Sequence, residues 1–379
     1  MSLLGTHLTL LIGPTVPVPA SPELIRSLRR VEVQNRDDRR SGFELQFSIG
    51  RSGPSDVVDY PIQRDPRVRP LSRVIVIVTF NVIPEVLIDG IVTRQTLSPG
   101  DDPGTSTLTL KGQDVSFMMS RHERSAEHVA LPESLIVAKV LLLYAQYGLI
   151  PLVIPPPVID PPLPIERVPV QQQSDYDYLT ALARRHGYVF YVIPGPAPGT
   201  NTAYWGPPIR VGLPQRAITV NMGPETNATI GDADNDALEP TLVEGRVQDR
   251  LTNARVPVRT FASTRVPLSS QPSWLVHQQG IRHSQMRSTG VTAMSALARA
   301  QGATDASTDV VHVDGTLDTN RYGGILHSRA LVGVRGAGYA NDGWYYVKNV
   351  THQITVGSYT QRFELTRDGV GSTTPVVVP

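Results

Sequence analysis

The chain has 379 residues, enough for two or three domains that each bury a core. It contains no cysteine, which excludes disulfides and thiolate metal sites and suits assembly in a reducing cytoplasm. Its 35 basic and 34 acidic residues leave a formal charge of +1, without the basic excess of a nucleic-acid binder, so protein partners are expected and nucleic acid is not.

Taken in order, residues 1–27 read as an N-terminal arm. The apolar run Leu8 to Ile12 has no basic lead, since no Lys or Arg precedes Arg26, and a strand or docking arm is expected rather than a leader. Residues 28–112 read as a first β-barrel. Phe43, Leu45, Phe47 and Ile49 alternate with Glu44, Gln46 and Ser48, so one face meets a core. Val74 to Phe80 is apolar on both faces, as in a central barrel strand.

Residues 113–206 form a helical and mixed α/β connecting region. Leu135 to Leu143, interrupted by Lys139, is far shorter than the ~20 residues of a membrane span, and no membrane insertion is expected. Pro132, Glu133 and Gly148 mark this block as a capped, buried helix. The proline-dense run from Ile150 to Val170 excludes helix and central strand, and an extended connector or surface loop is expected. Ser174 then opens a helix as N-cap, Asp177 holds the capping-box position, and Gly187 ends it.

Residues 207–308 read as an insertion and the start of a second barrel. They include a helix from Val291 to Gln301 whose seam, Val291, Met294, Leu297 and Ala298, is expected to face the core. Residues 309–368 close the second barrel. In them Gly343 to Ile354 and Tyr359 to Arg367 form a hairpin about Gly357 and Ser358. Residues 369–379 read as a C-terminal tail in which Gly369, Gly371 and Ser372 supply flexibility. A shift of 258 lays Val74, Val76 and Val92 to Gln95 on Val332, Val334 and Val350 to Gln353; Leu108 and Leu110 then echo Phe363 and Leu365 after a three-residue loop difference. The fold class expected is β-rich α+β, two similar β-barrel domains in tandem with helical and α/β insertions.

Motifs for chemistry do not assemble. Asp232, Asp234 and Asp236 have the opening spacing of a calcium loop, but Ala237 and Val243 stand where Gly and Glu are needed. His122 and His128 lie amid charge and read as solvated, while His352 reads as a satisfied sheet histidine. Gly333, Gly336, Gly338 and Gly343 lack a following Lys-Ser/Thr and read as a hairpin turn. No catalytic, cofactor-binding or metal-binding residue is assigned, no cofactor is expected, and the chain reads as non-enzymatic.

Two motifs in order carry a resemblance. Ser174, Asp175, Asp177, Leu179, Leu182, Ala183, Gly187 and Tyr188 form the first. Gly343, Tyr345, Val347, Val350, His352 and Ile354, followed by Gly357, Tyr359, Phe363, Leu365 and Arg367, form the second. Together they resemble the tail hub proteins of contractile phage tails and injection machines, the late control D family, and the N-terminal hub part of type VI VgrG spike proteins. Residues 204–208 and 221–227 look like the variant of extracellular contractile injection particles. The resemblance implies a structural baseplate hub: a homotrimeric ring adapting a sixfold inner tail tube to a threefold spike, with baseplate wedge components as further partners. It also implies a separate spike chain, met by the tail, and assembly in the bacterial cytoplasm within a phage tail-like particle that can be released. A baseplate-associated peptidoglycan hydrolase and a secreted β-rich carbohydrate-binding protein are the alternatives. The first needs a helical lytic domain and the second a leader and aromatic platforms.

Overall fold

A computed structural model describes residues 6–50, 60–102, 105–159, 162, 168–249, 252–286 and 290–373. The alternating N-terminal segments become strands β1 (Thr6–Gly13), β2 (Val18–Pro19), β3 (Leu28–Arg36), β4 (Gly42–Ile49), β5 (Arg73–Phe80), β6 (Ile83–Ser98) and β7 (Ser106–Asp114). They lie in the order β2-β1-β5-β6-β7-β4-β3, with every neighbour antiparallel. The sheet curls about one core in which Phe43, Leu45, Phe47 and Ile49 meet Val31, Val33, Val74, Val76, Leu108 and Leu110. Each such side chain contributes about 1.5–3 kcal/mol on burial. The apolar N-terminal run is part of this sheet, because β1 pairs with β5 from Thr6 opposite Phe80 to Gly13 opposite Arg73.

The connecting region holds β8 (Glu123–Glu127), β9 (Leu149–Val153), β10 (Val170–Ser174), β11 (Val189–Pro194) and β12 (Asn201–Gly206). Helices Glu133–Leu142 and Asp175–Arg185 share a core with the β11-β12-β9 sheet around Trp205. The Trp205 Nε1–H donates to the Leu179 carbonyl at 3.2 Å. Ser174 caps its helix as expected, its Oγ accepting from the Asp177 N–H at 3.2 Å, and Gly187 leaves it at φ +65°. One expectation is corrected: the proline-dense run begins as a strand, since β9 pairs in parallel with β12. It is an edge strand, where a sheet tolerates the missing N–H of Pro151. Residues 160, 161 and 163–167 of that run lie outside the described residues.

The remaining strands are β13 (Gln215–Thr219), β14 (Ala228–Asn235), β15 (Thr241–Gln248), β16 (Arg255–Arg259), β17 (Gln271–Pro272), β18 (Arg282–Gln285), β19 (Val311–Asp318), β20 (Leu331–Arg335), β21 (Gly343–Thr355), β22 (Ser358–Arg367) and β23 (Gly369–Val370). β14, β19, β22, β21 and β20 lie side by side in that order, with every pair antiparallel. This is the spatial and sequential arrangement of β3, β4, β7, β6 and β5. The 258-residue offset holds for β5 and β20, but it changes on the next strand, because Val332 meets its partner Tyr345 three residues sooner than Val74 meets Gly90. The bulge after Val92 in β6 stands where the bulge after Val347 stands in β21, so Val92 corresponds to Val347 and not to Val350.

Between β14 and β19 a small sheet, β16-β15-β18, packs on helix Ala293–Ala306. Its core face is Ala296 and Ala300, with Val291 just ahead of it, whereas Met294 and Leu297 are 61% and 41% exposed. The expected seam is therefore corrected: small side chains, not long ones, let this helix sit close to its neighbours. Nor do the first residues after the hairpin leave the body. β23 pairs with β17, and Gly371 and Ser372 are buried. Residues 374–379 of the expected tail lie outside the described residues.

Candidate assembly site

The two sheet units are joined by β21, which shares one edge between two partners. Gly343 to Tyr346 pair with β20, and Asn349 to Thr355 pair with β3, giving one continuous sheet of thirteen strands among the described residues.

Arg329 stands at the crossover. Its backbone is left-handed at φ +66°, uncommon for a long side chain, and its N–H donates to the Val347 carbonyl at 2.6 Å. The buried guanidinium donates through Nε to the Arg36 carbonyl at 3.1 Å, through Nη2 to the same oxygen and to Ser41 Oγ at 2.9 Å, and through Nη1 to the Val192 carbonyl at 3.1 Å. It also lies 4.1 Å above the Tyr191 ring. One side chain thus ties the end of β3, strand β11 and the approach to β20. Carbonyl dipoles replace the water that its charge has lost.

Two buried carboxyls flank it. Asp114 accepts from the N–H groups of Ser41 at 2.8 Å and Ser116 at 2.9 Å, and burial raises its pKa. Burial pushes Asp37 up to about 6, against the opposing pull of Lys348, the Tyr346 hydroxyl and Arg329.

Further along the β3–β21 seam lies His352. Its Nδ1 is 2.7 Å from the Tyr359 hydroxyl and 3.2 Å from Gln361 Nε2, and its Nε2 is 3.3 Å from Asn35 Nδ2. Burial pushes its pKa down to about 3, so the ring is neutral and acts as a sheet histidine with partners on both nitrogens. His128 departs from expectation. It is buried and stacked on Tyr178 with 5.7 Å between ring centroids, and burial lowers its pKa.

A second charged cluster secures the insertion. Asp309 is paired with Arg210 and, at 3.3 Å, with Arg265, which also donates to the Gly187 carbonyl at 3.1 Å. Arg367, at the end of β22, donates to the carbonyls of Asp342 (2.9 Å) and Ala340 and lies 4.4 Å from the Tyr345 ring centroid. It thereby holds the glycine-rich turn between β20 and β21. Asp232 and Asp234 lie on strand β14, and among the described residues no group of three His, Asp or Glu is placed to hold a metal ion.

Arg329 and Arg367 are aimed at main-chain carbonyls, Asp114 at main-chain N–H groups, and Arg210 and Arg265 at an opposite charge. Sequence reasoning does not single out Arg329 or Asp37. The one available signal was Arg329's position 258 residues after Leu71, just ahead of the matching valines.

No protein-family model matches the sequence, nor does any curated protein. The fold is found among solved structures. A tail protein from Neisseria meningitidis MC58 is 13% identical, with a TM-score of 0.63, covering 97% of this chain and 98% of its own. The 43 kDa tail protein of prophage MuSo2 from Shewanella oneidensis is 12% identical, with a TM-score of 0.57 and coverage of 95% and 98%. The half-lidded Francisella PdpA–VgrG complex contains a chain 8% identical, with a TM-score of 0.56, matched over 99% of this chain and 60% of that one. The chain therefore has the fold of phage tail proteins and of a VgrG complex.

Proposed function

We propose that this chain is a structural, non-enzymatic hub of a contractile tail or injection particle, whose copies form a trimeric ring between a sixfold inner tube and a threefold spike. The observation that carries this reading is the repeated strand arrangement: two five-stranded units of one topology, fused through β21 and β3 within one polypeptide. We read the repeat as a tandem duplication. Three chains then present six similar units to a tube and three equivalent positions to a spike, so the symmetry mismatch is absorbed inside each subunit. The solved neighbours support this reading through their fold and through the tail and VgrG proteins they represent.

Assembly in the bacterial cytoplasm and contact with baseplate wedge proteins belong to the same proposal. So does the extracellular injection particle variant, suggested by residues 204–208 and 221–227. In the fold, Tyr204 donates to the Pro207 carbonyl at 2.6 Å, and Asn227 Oδ1 accepts from the Thr219 N–H at 2.8 Å. Electron microscopy of particles from cells carrying an epitope-tagged chain tests the reading. The label is expected where tube meets spike; a label elsewhere on the particle, or absent from particles, overturns it.

A further inference from the structure

The junction inside the chain shows what a junction between chains requires. β21 is covered by β20 only as far as Val347, where Val347 exchanges hydrogen bonds with Arg329 and Ala330; beyond that point the same edge is filled by β3. The first unit repeats the first half of this arrangement. β6 is covered by β5 as far as Val92, where the Leu71 N–H donates to the Val92 carbonyl at 2.8 Å and the Val92 N–H to the Ser72 carbonyl at 2.9 Å. Leu71, like Arg329, has a left-handed backbone, at φ +72°. From Thr93 to Ser98, however, no strand among the described residues covers the corresponding edge of β6.

The missing strand has a counterpart elsewhere in the molecule. β14 occupies in the second unit the place of β3 in the first. It pairs only with β19, and its outer edge is open among the described residues. The two strands correspond through their partners: Val33 lies opposite Phe43 in the first unit as Ala233 lies opposite Val313 in the second, and Phe43 and Val313 face the equivalent positions Gly112 and Leu365. Resting on the trimeric hub reading, we infer that the β14 edge of one copy adds antiparallel to the Arg94–Ser98 edge of β6 in a second copy, closing the ring by main-chain pairing.

Carrying the internal register across by these partners turns the pair Gln34–Thr351 into Asp234 opposite Thr96. The charges agree. Asp232, Asp234 and Asp236 are exposed along and just past β14, while β6 presents the exposed Arg94 with Lys111 as its cross-strand neighbour on β7. Two β14 edges would repel each other, so the acidic edge selects β6 over itself. The apolar surface agrees as well. Leu71 stands where Arg329 reaches the end of β3 and is 57% exposed, and Leu238, just beyond β14, is 59% exposed. The interface is head-to-tail, which closes into a ring when the rotation per copy allows it. Three such contacts alternate with three internal ones to give six similar junctions.

Because the chain has no cysteine, paired substitutions read the contact directly. The full chain carrying Asp234→Cys and Thr96→Cys, oxidised under mild conditions, is expected to give covalent dimers and trimers on denaturing gels, reversed by reductant. Either single substitution should give none of the higher ladder. Gln34→Cys with Thr351→Cys serves as the internal reference and closes within one chain, because paired strand residues lie within disulfide reach. If the protein has a trimer's mass in solution while the Asp234/Thr96 pair cross-links no more than the single variants, the strand pairing is wrong and the hub reading stands. A monomer that fails to cross-link overturns both.

Discussion

Gly187 and Gly302 bring two helices into main-chain contact. A β-carbon on Gly302 would lie 2.5 Å from the His186 carbonyl carbon and 2.8 Å from the Gly187 nitrogen, and one on Gly187 would lie 2.3 Å from the Gly302 oxygen. The helix of the connecting region and the helix of the insertion are therefore locked at a distance only glycine permits. Arg265 reinforces the lock by donating to the Gly187 carbonyl.

Gly302→Ala is expected to destabilise the chain by roughly 2 kcal/mol, because rigid backbone must move to admit the methyl. Gly187→Ala should cost more, since it adds the strain of a non-glycine residue at φ +65°. Met294→Ala, on the exposed face of the same helix, should stay within about 0.5 kcal/mol of the parent. Denaturant unfolding of the three variants measures this, and a large effect at Met294 with none at Gly302 would restore the face read from sequence.

Arg329→Ala should destabilise by roughly 3–5 kcal/mol, because it strands the buried carbonyls of Arg36 and Val192 together with Ser41 Oγ. Arg329→Lys should recover only part of this, since an ammonium cannot reproduce the planar fork. The same unfolding measurement checks it: a loss below about 1 kcal/mol for the alanine variant would mean that β21 and β3 hold the units together unaided.

The seam histidine predicts an acid limb. His352 is held neutral with a folded pKa of about 3 against an ordinary value of 6.5. Its contribution is fully present above pH 6.5 and is lost as pH falls towards 3, at up to about 1.4 kcal/mol per pH unit across that window. Stability profiles of the parent and of His352→Gln should diverge below pH 6.5; parallel profiles between pH 6.5 and 4 would contradict the burial of a neutral ring.

Asp37 acts in the opposite sense. With its folded pKa raised from 3.8 to about 6, its contribution is complete below pH 3.8 and is lost as pH rises through 6. Asp37→Asn should therefore stabilise the chain at pH 7.5 relative to the parent by about 1–3 kcal/mol, with the advantage shrinking at pH 4. A variant that is less stable at pH 7.5 would show that Asp37 is ionised in the fold and paired.

Much of the fold was legible in the sequence where one periodicity dominates. The alternation at Phe43 to Ile49 and at Tyr359 to Leu365 placed core strands, and Ser174 with Gly187 bounded a helix, because caps and pleats are local physics. What failed was non-local. Met294 and Leu297 satisfy helical spacing as well as Ala296 and Ala300 do, and only the partner surface decides which stripe is buried. A constant offset matches Val92 to Val350, but the β20–β21 hairpin brings Val332 to its partner Tyr345 three residues sooner than β5–β6 brings Val74 to Gly90, so the true counterpart is Val347. The junction residues Arg329, Arg36, Asp37 and Ser41 are brought together across almost 300 positions by β-pairing, so nothing near them in sequence announces their contact.

Whether three copies of this chain make one ring is read from the native mass of the purified protein at micromolar concentration. A single species of three times the 41.3 kDa chain mass is expected. A stable, non-aggregating species at 41.3 kDa, or an even-numbered assembly, would contradict it.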